Sequence, residues 1–588
     1  MRLTRCPRRA FAALLVLAAA PLVAARADAS PWALDTAAVG PRIDQVFSAF
    51  DEPDSPGCAV LVARDGKVLH ERGYGMANLE HGTRIGSQTV FDIGSTSKQF
   101  TAMSVLLLAQ DGKLGLDDDV RKHVPELPDY GRTVTIRHLI HHTSGIRDYL
   151  GLMDLAGWRF EDVATDQDAL DVITRQKALN FDPGTEHLYS NSGYFLLSMV
   201  VERASGRSLP QFAAERIFRP LGMKDTHFHD DHTQIVPNRA TGYSPRKDGG
   251  FRIEMSNFEQ TGDGSLYTTV RDMNLWDRNF YEGTVGGREL LQQMVQPAQL
   301  ASGRTLDYAF GLVLDEHKGL EVVGHGGAWA GYRADLIRFP AQHASVVCLC
   351  NLATANPSAL ARRVADVVLA DAIAAGGGGH PDASEPPDKA SAKGPVRVRR
   401  TELEQKAGTY RDPVTGTLRD LSFRHGRLEV DVFGGTYELQ PFSPTLFRLM
   451  DAPGEMDITF DPPAPGRRLS FHEAMPGRDP VLREAIDPTE PSARQLAEYA
   501  GAYESDELRA RFELVVNEGH LAVRARNTPE MPLRPAVADE FTASGLVIRF
   551  DRGAAGDVTG FGLDAGRIRN LRFTRKLEAA GTAGVSTP

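Results

Sequence analysis

The sequence predicts an α/β protein of the α+β type, with an antiparallel sheet flanked by helices and then two small antiparallel β-barrels. Strand patterns stand at both ends of residues 30–375 and helical patterns lie between them, so we expect the first and last strands to meet in one sheet. Beyond residue 400, short strand patterns punctuated by Gly, Pro and Asp occur in two copies. The 588 residues are also too many for a single hydrophobic core.

Residues 1–29 have the pattern of an export signal rather than of a folded element. Arginines precede a run rich in Ala and Leu, and Ala27-Asp28-Ala29 supplies small residues for cleavage. A membrane anchor is the alternative, but the apolar run is short and contains Pro21. Because Arg8-Arg9 only loosely resembles a twin-arginine signal, we expect ordinary export, to the periplasm or as a secreted protein.

The composition argues against several classes of partner. The formal net charge is −11, and loss of residues 1–29, which carry five arginines and one aspartate, would make the chain more acidic. An acidic chain without a basic patch has no electrostatic attraction to nucleic acid and little to an anionic lipid surface. No later stretch is long and apolar enough for a transmembrane helix. We expect a small-molecule or peptide substrate, and the pattern reveals no oligomeric state.

The secondary-structure elements of residues 30–375 are predicted from the spacing of hydrophobic residues and from the turn residues between them. Strand patterns at Cys58–Val62 and Val68–Arg72 flank a turn-like segment and predict a hairpin. A helical period over Thr96–Gln110 ends at Asp111-Gly112. The late elements are strands at Leu312–Leu314, Glu321–Val323, Asp335–Phe339 and Ser345–Cys350, and a closing helix at Ala359–Ala374.

Three cysteines lie beyond the predicted signal. Cys348 and Cys350 stand two apart in an apolar run, so both point to one face of a strand. We interpret them as small core residues rather than as metal or redox ligands. Three thiols define no disulfide framework, so a single bridge from Cys58 to either of the other two stays open.

A linker separates the first domain from a duplicated region. Residues 376–400 begin with four glycines and continue with Pro, Ser and charged residues, which is typical of a flexible linker. The later chain repeats itself at an offset of 90 to 93 residues, in the pairs Ala407–Tyr410 with Ala500–Tyr503, Phe460 with Phe550, and Phe471 with Phe561. This offset predicts homologous barrels at 401–487 and 494–577.

The segment Ser95-Thr96-Ser97-Lys98 opens the helix predicted after it. A hydroxyl at a helix N-terminus lies where the positive end of the dipole favours a developing alkoxide. Lys98 is three residues further on the same face, and burial lowers the pKa of a lysine towards neutrality. Ser-x-x-Lys also occurs by chance, and a serine in this place is usually an N-cap, so the segment needs partners to be catalytic.

Two downstream segments offer these partners. In Tyr189-Ser190-Asn191, the tyrosine can relay a proton to a leaving group, and the asparagine can hold a substrate amide or the lysine. In His325-Gly326-Gly327, the glycines allow a ligand backbone to approach closely. The backbone N–H groups of Ser95 and Ala328 are the candidate oxyanion donors.

Together, the three segments resemble the motifs of serine β-lactamases and penicillin-binding proteins, in the class C-like branch. The first is similar to that family's Ser-x-x-Lys, the second to its Tyr-x-Asn, and the third stands where the family has Lys-Thr-Gly or His-x-Gly. Residues 135–145 and 262–269 resemble the family as well, and within the first of these we expect His141 and His142 to be structural. The resemblance covers roughly residues 40–370.

The resemblance implies a β-lactamase-like sheet domain and a helical domain with the site between them. It also implies a two-step acyl-enzyme reaction without metal or cofactor, in which Ser95 attacks a carbonyl, Lys98 and Tyr189 move protons, and water releases the acyl group. The substrate-orienting residues implied are Asn191, His325, Gly326 and Gly327.

With histidine in its third motif, the sequence resembles the D-aminopeptidases, DD-peptidases (DD-carboxypeptidases) and esterases of the family. One D-aminopeptidase of the family also carries two such barrels. Histidine in place of lysine means that no permanent positive charge is present at this motif to bind a β-lactam carboxylate. A histidine such as His325 can, however, change charge near neutrality. Our first hypothesis is an exported serine hydrolase of D-amino-acid peptides or amides, or of small esters, including cell-wall fragments. The alternatives are a true class C-like β-lactamase and a non-catalytic peptidoglycan- or peptide-binding protein. Self-association through the barrels stays open.

Overall fold

The computed structural model describes residues 36–375, 395–432, 435–450, 456–462, 464, 466–475 and 480–576. The predicted signal at 1–29 and most of the predicted linker at 376–400 lie outside these ranges. The strands before residue 376 are β1 (Cys58–Arg64), β2 (Lys67–Tyr74), β3 (Met76–Asn78), β4 (Thr83–Arg84), β5 (Phe91–Asp92), β6 (His227–Phe228), β7 (Tyr243–Pro245), β8 (Phe251–Ile253), β9 (Leu266–Thr268), β10 (Val313–His317), β11 (Leu320–Trp329), β12 (Tyr332–Phe339) and β13 (Ala344–Cys350).

The helices of the same part alternate with these strands. They are α1 (Thr36–Val46), α2 (Lys98–Gln110), α3 (Ile136–Ile140), α4 (Tyr149–Leu155), α5 (Asp166–Thr174), α6 (Asn191–Ser205), α7 (Leu209–Ala213), α8 (Arg219–Leu221), α9 (Val270–Glu282), α10 (Gly287–Met294), α11 (Pro357–Val368) and α12 (Ala370–Ala374). In the part of the chain that the structure describes, none of the helices combines the length and the apolar character needed to cross a bilayer.

The central sheet confirms that the first and last strands meet. Its order is β10-β11-β12-β13-β1-β2, and its pairs are antiparallel. β1 pairs with β13 along its whole length, and both strands are fully buried because helices cover both faces of the sheet. One face packs against α1 and α11, and the other against the large core that contains α2 and α6. Burial on both faces explains why β1 and β13 are continuous hydrophobic runs.

The cysteines lie where β1 and β13 pair. Cys58 is directly opposite Cys350, and the two form a disulfide. Cys348 faces Val60 instead and is a free, buried thiol, as expected for a small core residue. Cys350 is buried in the core as well, and the register resolves the bridge that the sequence left open, because it places Cys350 rather than Cys348 against Cys58.

The C-terminal region confirms two closed antiparallel barrels of eight strands each. Barrel 1 consists of the short helix α13 (Arg400–Lys406) and β14 (Gly408–Arg411), β15 (Leu418–Arg424), β16 (Arg427–Val432), β17 (Gly435–Pro441), β18 (Leu446–Leu449), β19 (Asp457–Phe460), β20 (Ser470–Ala474) and β21 (Val481–Ile486). Barrel 2 consists of α14 (Ala493–Tyr499) and β22 (Gly501–Ser505), β23 (Ala510–Asn517), β24 (His520–Arg524), β25 (Met531–Pro535), β26 (Glu540–Ala543), β27 (Leu546–Arg552), β28 (Val558–Ala565) and β29 (Ile568–Lys576).

Barrel 2 is docked on the first domain. Its interior belongs to the same hydrophobic cluster as α2 and α6, whereas the interior of barrel 1 is a separate cluster. Arg147 and Glu507 form an ion pair of 2.7 Å across this interface, with side chains only 1% and 3% exposed. Arg147 also donates to the carbonyls of Arg569 and Asn570 in β29. These contacts hold the last hairpin of barrel 2 over the first domain.

Candidate active site

A cleft of about 930 Å³ opens between the edge of β11, the helical part of the first domain and barrel 2. The three predicted segments all reach it. From the first domain it is lined by Ser95, Tyr189, Asn191, His325, Gly326, Gly327 and Ala328, and from barrel 2 by Ala565, Arg567 and Ile568. The structure thus brings together residues that stand far apart in the sequence.

The predicted nucleophile lies on a tight turn against β11. Residues Gly94–Ser97 form a 3-10 turn, and the α-helix begins only at Lys98, so Ser95 stands just before the helix rather than in it. Gly94 has a φ of +48°, and a Cβ there would lie 2.7 Å from the amide nitrogen of Ala328. A Cβ on Gly327 would lie 1.8 Å from the carbonyl oxygen of Ile93. Glycine at both positions therefore lets the Ala328 amide approach Ser95.

Lys98 is completely buried beside the serine. Its Nζ lies 3.1 Å from Ser95 Oγ, 2.9 Å from Asn191 Oδ1 and 2.5 Å from the carbonyl oxygen of Asp263. Burial lowers the pKa of Lys98 to about 7, although the carboxylates of Asp263 and Asp148 raise it in part. A large fraction of the amine is therefore neutral at neutral pH and able to accept a proton.

Tyr189 lies beside Lys98 and lines the cleft. Lys98 Nζ lies 4.8 Å from the centre of its ring. Burial raises the pKa of the Tyr189 phenol above its usual range, while the neighbouring Ser95 hydroxyl lowers it in part. The buried phenol oxygen has no partner of hydrogen-bond geometry among the described residues. The phenol thus keeps its proton at neutral pH and faces the cleft with it.

A chain of hydrogen bonds determines the state of His325. The Ser190 amide donates to His142 Nδ1, so His142 Nε2 carries the proton and donates to the Tyr308 hydroxyl, 3.1 Å away. Tyr308 then donates to His325 Nε2 over 3.2 Å, and His325 Nδ1 donates to the Gly326 carbonyl over 2.6 Å. Both ring nitrogens of His325 are therefore engaged within the protein.

His325 is neutral throughout the physiological range. Burial, together with the charge of Lys98, lowers the pKa of His325 to about 4. The expectation that this histidine changes charge near neutrality is therefore wrong. His142 holds the second segment, since its carbonyl and its Nδ1 accept from the amides on either side of Tyr189, at Leu188 and Ser190. This is the structural role expected of it.

The sequence did not reveal the charged residues that surround these groups. Asp148 accepts from the amide of Asn191 and caps α4, and Asp263 accepts from the Tyr149 hydroxyl. Arg567, in the turn between β28 and β29, lies with its guanidinium 4.6 Å from the ring centre of Tyr189. Asp263 belongs to a segment that resembles the family, whereas the signal for Arg567 is only that of an ordinary hairpin turn.

Potential metal ligands lie elsewhere. Within the described ranges, two groups of side chains are close enough to share an ion, Cys58 with Cys348 and Cys350, and Asp231 with His232 and Glu259. Neither group lines the cleft, and the first contains the disulfide. The cleft itself brings together a hydroxyl, an amine and a phenol, which are groups that covalent acyl transfer can use.

A serine–lysine–tyrosine cleft on this fold defines a serine hydrolase. The family model described as Beta-lactamase matches residues 43–371, and the chain belongs to that family. Penicillin-binding protein 4* of Bacillus subtilis (strain 168) is 31% identical over 327 residues, which are 53% of this chain and 71% of the relative. As a hydrolase of this family, the protein is an enzyme rather than a non-catalytic binder.

Two D-aminopeptidases are also similar, and for one of them the similarity extends beyond the first domain. The D-aminopeptidase of Gluconobacter oxydans (strain 621H) is 32% identical over 325 residues, covering 55% of this chain and 61% of the relative. The D-aminopeptidase of Brucella melitensis biotype 2 is 28% identical over 469 residues, covering 79% of this chain and 82% of the relative. The structure of the octameric penicillin-binding protein homologue from Pyrococcus abyssi matches with a TM-score of 0.52 and 23% identity, over 77% of this chain and 100% of that one, which supports the fold.

Proposed function

We propose that this protein is an exported serine hydrolase that cleaves D-amino-acid peptides or amides, or small esters, through an acyl-enzyme on Ser95. The observation that carries the proposal is the contact of 3.1 Å between Ser95 Oγ and a buried lysine whose pKa is lowered to about 7. A lysine in this state is a base of suitable strength at neutral pH.

Acylation follows from the positions of three groups. Neutral Lys98 takes the proton of Ser95 as Oγ forms a bond to the substrate carbonyl carbon. The negative charge that develops on the carbonyl oxygen is stabilised by the N–H groups of Ser95 and Ala328. Tyr189 then donates its proton to the leaving nitrogen or oxygen, the bond to the leaving group breaks, and the Lys98 ammonium returns a proton to the phenolate.

Deacylation uses Lys98 in the same way, with water as the nucleophile. A water molecule attacks the ester carbon while Lys98 accepts its proton, the bond between the ester carbon and Ser95 Oγ breaks, and the Lys98 ammonium returns the proton to Ser95 Oγ. Asn191 supports both steps, since its Oδ1 holds Lys98 and its side chain faces the cleft. His325, neutral and internally bonded, would contribute the shape of the β11 edge, together with Gly326 and Gly327.

The substrate class rests on the relatives. Two of them bear the name D-aminopeptidase, and for one of these the similarity spans most of both chains, including barrel residues. The predicted signal at 1–29, followed by a disulfide in the first domain, supports export to an oxidising compartment. Cell-wall-derived peptides are the natural candidates in such a location.

Intact mass spectrometry combined with turnover assays tests the proposal. Wild-type protein is incubated with D-alanine p-nitroanilide, p-nitrophenyl acetate, a fluorescent penicillin and nitrocefin. We expect release from the anilide or the ester, and an acyl adduct on Ser95. Fast nitrocefin turnover would instead identify a true β-lactamase.

The matched variants are Ser95→Ala and Ser104→Ala. Loss of the nucleophile should reduce turnover by on the order of 10⁶-fold. Ser104 lies in α2, and its hydroxyl donates to the carbonyl of Phe100 in the same helix. Removal of this hydroxyl should therefore leave turnover intact. Full activity of Ser95→Ala, with its circular dichroism spectrum unchanged, would contradict the proposal.

A further inference from the structure

The leaving-group side of the cleft can be located from Tyr189. The phenol that protonates the leaving group must lie next to it in the transition state. Arg567 of barrel 2 stacks on this same phenol ring at 4.6 Å, and it lines the cleft. A permanent positive charge therefore stands beside the position of the leaving group.

The guanidinium of Arg567 has N–H donors that are available to a ligand. Its side chain is 46% exposed, and its ion pair among the described residues is a contact of 3.6 Å with Asp148 Oδ2, too long for a hydrogen bond. Asp148 is itself engaged, because it accepts from the amides of Asn191 and Gly151. Since an arginine carries five N–H donors in a fixed fork, most of them remain available to a ligand.

The backbone that carries Arg567 is held in place. Asn180 of the first domain donates to the carbonyl of Arg567 and accepts from the amide of Arg569. The neighbouring Ile568 packs on Gly151, where an added Cβ would lie 3.1 Å from its Cδ1. The guanidinium is thus presented from a fixed turn, as recognition of a small charged group requires.

The other cationic or polar candidates in the cleft are less suitable. Both nitrogens of His325 are engaged within the protein. Arg333 also lines the cleft, but its Nη1 already donates to the carbonyls of Ala330 and Tyr332. Lys98 is completely buried and bonded to Ser95, Asn191 and Asp263.

We propose that Arg567 binds the free carboxylate of the leaving group, so that the preferred substrate is a peptide cut at its last bond with release of a free amino acid. This inference rests on the proposed function and names the leaving group of the same reaction. In the scissile step, the bond between the acyl carbon and the leaving nitrogen breaks as the bond to Ser95 Oγ forms. The nitrogen receives its proton from Tyr189, and the carboxylate attached two bonds away stays paired with Arg567.

The geometry also predicts selectivity against uncharged and cationic leaving groups. A carboxamide offers Arg567 only a neutral acceptor, and charge-assisted bonds are roughly twice as strong as neutral ones. Arg567 belongs to a domain that is separate from the catalytic residues, so the barrel supplies a specificity-determining side chain that the first domain lacks.

The test compares two substrates that differ only at this group, N-acetyl-D-alanyl-D-alanine and its C-terminal carboxamide. Release of alanine or alaninamide is followed by mass spectrometry, and kcat/KM is determined for each substrate. We expect wild-type protein to prefer the carboxylate by roughly 10- to 100-fold, as for hydrogen bonds to charged groups. Arg567→Gln should abolish the preference, mainly through KM, and Arg567→Lys should retain part of it.

Arg572→Gln is the matched control. Arg572 lies on β29, the strand that follows the Arg567 turn; it is half-exposed and pairs with Asp551 away from the cleft. It should keep the wild-type preference, and circular dichroism should show that all variants are folded.

Three results would overturn the inference. The first is a wild-type preference for the carboxamide, and the second is an unchanged ratio in Arg567→Gln. The third is loss of the preference in Arg333→Gln alone, which would move the carboxylate site to β12. If wild-type protein forms no acyl-enzyme with the anilide, the ester or either peptide, the proposed function fails and the inference with it.

Discussion

Barrel 1 and barrel 2 have the same fold, but among the described residues those of barrel 2 line the active-site cleft and those of barrel 1 do not. Each begins with a short helix, and in each the tyrosine of the repeated motif donates to the carbonyl four residues earlier, Tyr410 to Lys406 and Tyr503 to Tyr499, both at 2.8 Å. Among the described residues, the side-chain ion pairs of barrel 1 with another domain are those to barrel 2, such as Arg411 with Glu540. The two copies of one fold therefore differ in what their side chains contact.

The last hairpin of barrel 2 also differs from the last hairpin of barrel 1. In barrel 2, β28 ends at Ala565 and β29 begins at Ile568, so the turn has two residues, and its Gly566 has a φ of +55°. In barrel 1, β20 ends at Ala474 and β21 begins at Val481. A short turn on two long paired strands is a rigid support for Arg567.

The largest difference between the barrels should appear when their ion pairs are broken. Glu507→Ala leaves Arg147 buried without its carboxylate, which should cost about 3–5 kcal/mol. In barrel 1, Glu438→Ala breaks the pair with Arg427, which is 62% exposed, and should cost less than about 1 kcal/mol. Chemical denaturation followed by circular dichroism and by turnover measures both. Equal costs would mean that barrel 2 is not anchored through Arg147.

The next effect concerns the hairpin itself. Asn180→Ala removes one bond to the carbonyl of Arg567 and one to the amide of Arg569, each worth about 0.5–1.5 kcal/mol. We expect kcat/KM for carboxylate-bearing peptides to fall by roughly 10-fold, the equivalent of about 1.4 kcal/mol.

The control for Asn180 lies in barrel 2, away from the cleft. Asn517→Ala loses an exposed bond to Glu530 and should leave kcat/KM unchanged. If both variants behaved alike, the position of the hairpin would not depend on Asn180.

A smaller effect should be equal in the two barrels. Tyr503→Phe and Tyr410→Phe each remove one hydrogen bond to a backbone carbonyl, and each should lower the free energy of unfolding by about 0.5–1.5 kcal/mol. Thermal unfolding of the two variants measures this. A cost confined to one of them would show that the repeated tyrosine serves the two barrels differently.

The smallest effect is a shift in the pH profile. Acylation needs neutral Lys98, so activity should rise as the pH increases through the lowered pKa of about 7. Asp263 and Asp148 raise this pKa, whereas Arg567 lowers it. Arg567→Gln should therefore raise the pKa of Lys98 and move the acid limb of kcat/KM for p-nitrophenyl acetate upwards by less than about one pH unit.

The control for this shift is in barrel 1. Arg427→Gln removes an exposed charge that pairs with Glu438, and its pH profile should coincide with that of the wild-type protein. If the acid limb of the pH profile of Arg567→Gln moved to lower pH, the sign of the proposed electrostatic effect would be contradicted.

The sequence predicted most of the fold because its signals were local. The hydrophobic runs of β1 and β13 and the helical period after Ser95 depend on residues close together in the chain, and the repeat is visible when the sequence is compared with itself. Contacts between distant residues decided one point that the sequence left open and one that it predicted wrongly. Cys350 forms a disulfide because β13 pairs with β1 in one register, and His325 is neutral because burial and Tyr308 determine its state.

By itself, the sequence determined which residue types are present for acyl transfer and that they belong to a serine hydrolase with two barrels. Only the tertiary structure decided which charges act on them. Arg567 follows Lys98 by hundreds of residues, and no periodicity connects the two, but docking of barrel 2 places its guanidinium on Tyr189. Hydrophobic patterning specifies which faces are buried, whereas the field within a cleft depends on distances between side chains that only the packed domains define.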